Sequence, residues 1–318
     1  MMDKPLVSIC CITYNHEPYI RDCLEGFMMQ KTNFPFEVLI HDDASTDHTA
    51  DIIREYEAKY PDVIKPIYQT ENQHSKGVKI SIAYNFPRAQ GKYIAICEGD
   101  DFWCDPQKLQ IQFDFMEANP DYSLCGCGKY LLNDIHRAYC KAGEPNFNNE
   151  DLNNKYDIDR LIAKVPFHTS SFFFRADSLF RVMDRLKQDS VGCSFGDALW
   201  CFHLAQVGKI KFIDRYMTVY RIHRGSAMSF GTGRLAKQIK FFADHVRILT
   251  RNHREDLIPV IIEVNIPLLS PPHHGLSARL KHWLYLSYLP FSRRRSDYKK
   301  IMRLSPKERV RFRSGKDL

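Results

Sequence analysis

Three short apolar runs, each breaking off into acidic or hydroxyl-bearing residues, constrain this 318-residue chain more than any other feature. Leu6-Val7-Ser8-Ile9-Cys10-Cys11-Ile12 leads into Thr13-Tyr14-Asn15, Phe36-Glu37-Val38-Leu39-Ile40 into His41-Asp42-Asp43, and Tyr93-Ile94-Ala95-Ile96-Cys97 into Glu98-Gly99-Asp100-Asp101. β-Prone segments that are almost wholly apolar belong to strands covered on both faces, the condition inside a parallel sheet. Helical spacing fills the intervals: Ile20, Cys23, Leu24, Phe27 and Met28 form one stripe behind Pro18, and Ile52, Ile53, Tyr56 and Tyr60 form another that Pro61 closes. With a third strand over 64–68, a polar stretch over 69–79 and a helix reaching Gln90, the order is β-α-β-α-β. That alternation predicts a doubly wound α/β domain.

Glu98, Asp100 and Asp101 place three carboxylates within four positions at a strand's carboxyl end. Anionic oxygens packed this closely repel one another unless a cation sits among them, and oxygen ligands select hard ions such as Mg²⁺ or Mn²⁺. An acidic turn around Gly99 is the simpler alternative. Ligands of open parallel sheets bind outside the carboxyl ends of the strands, so the three polar clusters fall in one crevice. Each alone also suits the cap of a following helix. The same two readings stand open for Asp197, which begins a helix in Gly196-Asp197-Ala198-Leu199-Trp200.

Past Asp105-Pro106, which opens a helix bearing Leu109, Phe113 and Met116, the alternation fades. Residues 146–155 read as a solvent-exposed loop, 167–174 as a strand entered from a polar loop, and 177–187 as a helix. A hydrophobic fraction of 44% excludes global disorder. Ten irregularly spaced cysteines, several inside apolar runs, suit small core residues in a reducing compartment. Cys125-Gly126-Cys127 is too tight for a zinc pair and has no second pair to complete it. The formal charge of +7 is local: residues 279–318 hold 13 Lys and Arg against 3 Asp and Glu, which leaves residues 1–278 at −3. No export signal or membrane-spanning run is visible, so the expected location is the cytoplasm.

Taken together, Val7-Ser8-Ile9-Cys10-Cys11-Ile12-Thr13-Tyr14-Asn15, Ile40-His41-Asp42-Asp43-Ala44-Ser45-Thr46-Asp47, Gly91-Lys92-Tyr93-Ile94 with Glu98-Gly99-Asp100-Asp101, and Gly196-Asp197 resemble the family 2 glycosyltransferases over residues 5–230. The resemblance implies the GT-A fold, a Rossmann-like nucleotide-binding half (about 1–120) joined to an acceptor-binding half (about 121–230); residues 231–318 lie outside it and read as a helical, basic extension. It further implies inverting transfer of a sugar from a nucleotide donor, a UDP-sugar in the first instance, to a saccharide or lipid-linked acceptor in surface polysaccharide assembly. By the same resemblance Ile12 and Tyr14 flank the base, Asp43 accepts from the uracil imide, Asp100 faces the ribose, Asp101 holds Mn²⁺ or Mg²⁺, and Asp197 is the general base. Glu98 is expected to be supporting structure.

Lys76 occupies the stretch where relatives place a basic residue contacting base or phosphate; a solvated loop lysine is the alternative. His223 stands where relatives often set a histidine near the metal, with Arg221 and Arg224 beside it as diphosphate contacts; a surface loop is the alternative. Two positions depart from the family pattern: Ala44 replaces the usual glycine, and Gly196 stands where many members carry a second acid. Trp200 reads as core packing, with stacking on an acceptor sugar as the alternative. In the tail, Leu280, Trp283 and Leu284 share a helical face beside basic residues, which suits either an anionic membrane surface, making the protein peripheral on the inner face of the cell membrane, or packing on the catalytic domain. Nucleic acid is not expected as a partner, because no binding motif accompanies the charge. The rival functions are an inactive sugar- or membrane-binding scaffold and a nucleotidyltransferase. The latter would need a phosphate-cradling loop where Thr13-Tyr14-Asn15-His16-Glu17 stands.

Overall fold

The apolar runs become the centre of a sheet. The computed structural model describes residues 4–134, 138–141, 168–193, 195–223 and 234–254. Within it, β1 (Val7–Thr13), β2 (Phe36–Asp42), β3 (Ile64–Tyr68) and β4 (Tyr93–Glu98) run parallel in the order β3-β2-β1-β4, with Ile9 opposite both Val38 and Ala95. Val7, Ile9, Cys11, Val38, Ile40, Ala95 and Cys97 are fully buried, together with Cys23, Leu24 and Phe27 of helix Ile20–Met28 and Ile53 of helix Thr49–Lys59. Each large aliphatic or aromatic side chain buried this way stabilises the fold by about 1.5–3 kcal/mol. The helix expected before Gln90 is instead a π-helical turn, Ser81–Asn85, followed by Phe86–Arg88. Pro87 has no amide to extend a helical ladder, and the side chains of Asn85 and Arg88 spend their donors on the strand carbonyls of Cys11 (3.0 Å) and Ile40 (3.1 Å).

The second half continues the same sheet. β5 (Phe102–Trp103), β6 (Tyr122–Asn133), β7 (Ala138–Lys141), β8 (Phe173–Arg175) and β9 (Lys209–Ile222) follow β4 in the spatial order β8-β6-β9-β5, and β7 pairs with β6, giving nine strands among the described residues. β8 lies antiparallel to β4, so parallel order ends there. β6 and β9 pair in parallel through register shifts on either side of Gly128. Three helices, Lys108–Ala118, Ala176–Ser190 and Asp197–Leu204, complete the unit Met1–Thr232.

Ala44 has φ of 63°. This is the left-handed region, which costs an ordinary L-residue about 1–2 kcal/mol and which glycine adopts freely. All ten cysteines are free thiols, and Cys125 and Cys127 are buried members of β6.

The second unit, Gly233–Leu318, contributes helix Arg234–Arg251, whose Lys240 and Asp244 pair one turn apart at 2.9 Å. The basic segment 279–318 and Arg224 lie outside the described residues. Among the described residues no helix is long and apolar enough to cross a membrane.

Candidate active site

Close backbone approach builds the acidic turn after β4. The Gly99 amide donates to the Ile12 carbonyl at 2.9 Å, and the Asp101 amide donates to the Glu98 carbonyl at 3.0 Å. A Cβ on residue 99 would lie 2.7 Å from Thr13 Oγ1, so only glycine lets the turn rest on β1. The turn gathers ligand oxygens of Glu98, Asp100 and Asp101 within 4.8 Å of one another. Glu98, expected only to support the turn, is thus part of the carboxylate group itself.

Asp101 is 1% exposed. One of its oxygens accepts the Arg221 amide at 3.0 Å; the other has no hydrogen-bond partner, with His168 Nδ1 3.4 Å away. Burial, reinforced by Asp100 and Asp197, pushes the Glu98 carboxyl up to about 8, and burial with Asp100 and Glu98 raises Asp101 well above the carboxylate range. Three converging carboxylates, one with an orphaned buried oxygen, fit a hard divalent cation, which would restore them to the charged form.

Asp100 receives His223 Nε2 at 3.1 Å, with His16 Nε2 at 4.0 Å. His223 therefore borders the carboxylate group through Asp100, and its ring lies 4.5 Å from that of Tyr19. Arg221, expected at the diphosphate, is turned the other way. Its guanidinium pairs with Asp22 at 2.6 Å and Asp134 at 3.2 Å and donates to the Asp100 carbonyl at 3.1 Å, so it ties β9 to the acidic turn.

His168 is held by a fixed turn, Thr169–Ser171. Trp103 Nε1 and Gln112 Nε2 donate to the carbonyls of Ser170 and Ser171, each at 2.8 Å. Gln112 also accepts from the fully buried Lys108 at 2.7 Å, whose ammonium lies 3.9 Å from the Trp103 ring centre. Burial, then the Lys129 charge, pulls His168 down to about 3, so the imidazole beside Asp101 is neutral at physiological pH.

Asp197 opens helix Asp197–Leu204 and accepts the Ala198 amide at 2.8 Å. The N-cap position is Gly196, which has no side chain to cap with, so Asp197 is the first helical residue rather than the cap. Its charge also bears on Glu98 and Lys129, and burial raises its pKa. The helix is pinned by a buried pair between His203 Nε2 and Asp189, 3.1 Å apart. Trp200 packs edge-on against Phe86 (5.6 Å) and Phe172 (6.3 Å), on the core side.

The remaining expected contacts divide. Ile12 is half-buried and commits its carbonyl to Gly99, while Tyr14 is 43% exposed just beyond β1. Asp43 is buried and accepts backbone amides from Gln73 (2.8 Å) and His74 (2.9 Å), so it organises the loop that follows β3. Its carboxylate keeps lone pairs beyond those two bonds. Lys76 is exposed and paired with Glu71 in solvent; the fold does not bring it to the acidic group. A hollow of about 710 Å³ opens at the other end of the sheet, among Pro5, Phe36, Glu37, Val63, Lys65 and Gln90. It lies at the amino ends of the strands, away from the ligand-binding end of such sheets.

His16, Lys129 and His168 join the site without having been singled out from sequence. The polar approach to Phe172-Phe173-Phe174 was a signal for His168; a lysine inside β6 gives none.

The sequence profile described as glycosyl transferase family 2 matches residues 8–183. The uncharacterized protein Rv1520 of Mycobacterium tuberculosis is 34% identical over 219 residues, which span 68% of this chain but only 59% of that protein. Among solved structures, S. aureus TarS in complex with UDP-GlcNAc superposes with a TM-score of 0.62 at 17% identity, covering 89% of this chain and 81% of that one. The mannosyltransferase PcManGT of Pyrobaculum calidifontis, in complex with GDP-Man and Mn²⁺, gives 0.55 at 17% identity, covering 94% and 84%. At such identity these superpositions speak to the fold, and the fold is GT-A. With the profile running from β1 into helix Ala176–Ser190 and the acidic turn at the end of β4, the chain belongs to glycosyl transferase family 2.

Proposed function

We propose that the chain transfers a sugar from a nucleoside-diphosphate donor to an acceptor hydroxyl, with inversion, using a divalent cation held by Asp101 with Asp100 and Glu98. The observation that carries this reading is the convergence of those three carboxylates within 4.8 Å, with the unpartnered Asp101 oxygen among them. A cation bound there would offset the charge that builds on the diphosphate as it leaves. Asp197 takes the proton from the attacking hydroxyl: it is a carboxylate whose charge Glu98 feels, and its raised pKa makes it a stronger base than a free aspartate. A single displacement converts an α-linked donor to a β-linked product.

Around the donor, Ile12 and Tyr14 border the base, Asp43 offers its remaining lone pairs to a uracil imide, and Asp100 faces the ribose. TarS bound to UDP-GlcNAc supports uridine, and PcManGT bound to GDP-Man and Mn²⁺ supports the metal. The imidazoles of His223 and His168 beside the carboxylates favour Mn²⁺ over Mg²⁺. The acceptor is proposed to be a saccharide or lipid-linked sugar of a surface polysaccharide. In a panel of UDP- and GDP-sugars with Mn²⁺, at least one UDP-sugar is expected to release UDP. No release from any donor would favour an inactive scaffold of the same fold.

The 13 basic residues of 279–318 are proposed to dock the protein on anionic lipid. Removal of this segment is expected to abolish co-sedimentation with phosphatidylglycerol vesicles; undiminished binding would eliminate the membrane role.

A further inference from the structure

Lys129 has no place in the chemistry described above, yet its position is built with care. β6 shifts register against β9 between Cys127 and Gly128 and again between Gly128 and Lys129, after which Lys129 stands opposite Thr218. Irregularities of this kind re-aim the side chain that follows. Gly128 permits it: a Cβ there would press to 3.1 Å on the Tyr216 ring. The Lys129 ammonium lies 5.5 Å from the centre of the Tyr220 ring. Tyr220 lies against His168 with ring centres 4.2 Å apart, and His168 reaches Asp101 at 3.4 Å.

The cation is half-buried, and among the described residues it has no hydrogen bond or ion pair of its own. Both Asp101 and Asp197 nevertheless feel its charge. An ammonium held partly dry without a carboxylate partner is poorly compensated, and three donors remain open. Through Tyr220 and His168 it stands beside the residue proposed to hold the cation, and the residue proposed as base feels its charge.

We propose that Lys129 is a further catalytic residue, whose ammonium contacts the β-phosphate of the donor and stabilises it as the leaving group. This rests on the glycosyl-transfer reading. In the step, the acceptor oxygen forms a bond to the anomeric carbon and its proton passes to Asp197. The electron pair of the carbon–oxygen bond to the β-phosphate departs onto that oxygen, beside Lys129, which keeps its own proton.

The test uses the full chain with Mn²⁺ and measures binding of UDP and UMP by calorimetry, with GDP and GMP as a second pair. Wild type is expected to bind the diphosphate more tightly than the monophosphate. Lys129→Met is expected to weaken UDP by tenfold or more while leaving UMP unchanged, and Lys129→Arg to recover most of the loss. Loss of the positive charge strengthens, if anything, cation binding by the carboxylates, so a weakened UDP complex would not arise through the metal. A UDP-to-UMP ratio equal to that of wild type in a folded Lys129→Met protein would overturn the assignment. If wild type itself bound neither diphosphate, the glycosyl-transfer reading would fall, and this inference with it.

Discussion

Replacing Asp101 by Asn is expected to abolish sugar transfer and Mn²⁺ binding while leaving the metal-free fold at least as stable as wild type. Asp101 is 1% exposed and held well above the carboxylate range, chiefly by burial. A group whose pKa is higher folded than unfolded binds protons more tightly in the fold, so at neutral pH its ionisation opposes folding. Asn keeps an acceptor for the Arg221 amide and removes that charge. The two effects should separate in one experiment. Metal-free Asp101→Asn melts at or above the wild-type temperature, whereas Mn²⁺ raises the melting temperature of wild type alone. A loss of several kcal/mol of charge stabilisation corresponds to about a thousandfold or more in transfer rate, at about 1.4 kcal/mol per tenfold. Transfer within tenfold of wild type by a variant that still folds would remove Asp101 from the metal site.

The second large effect is expected at Asp197. Removal of a general base typically costs about 10²–10⁴ in rate, so Asp197→Asn should lose transfer by that factor and still bind UDP as wild type does. Asn can retain the bond to the Ala198 amide, which in wild type spans 2.8 Å, so the helix start survives the change. Burial raises the Asp197 pKa, and the base acts only when ionised. The rate should therefore fall as pH drops through a value above the free aspartate pKa of about 3.9, and this acidic limb should vanish in Asp197→Asn. Full transfer rate in Asp197→Asn would exclude it as the base.

Much of the fold could be read before any coordinates because its first half obeys local rules. β1, β2 and β4 are continuous apolar runs, and each ends where acidic or hydroxyl residues gather, so period and position agreed. The second half escaped because its strands lack that pattern. β6 carries Cys125-Gly126-Cys127-Gly128, residues of low strand preference that are extended only because β8 and β9 flank them. At the site, Glu98, Asp100 and Asp101 were legible as one cluster, since residues adjacent in sequence must be adjacent in space. His168 reaches Asp101, and Lys129 the ring of Tyr220, through strand pairings set far along the chain, which spacing cannot reveal. Arg221 looked available for phosphate, but its guanidinium is claimed by Asp22, almost 200 positions away. Lys76 had the right place in the order of elements, but its partner Glu71 keeps it in solvent.

Inverting transfer requires the acidic turn and Asp197 to work on one donor from opposite sides of its anomeric carbon. The most direct measurement is proton NMR of the product formed by wild type with Mn²⁺ from an α-linked donor that the panel identifies. Release of one nucleoside diphosphate per sugar transferred, with a β-linked product, is the predicted result. An α-linked product would contradict it.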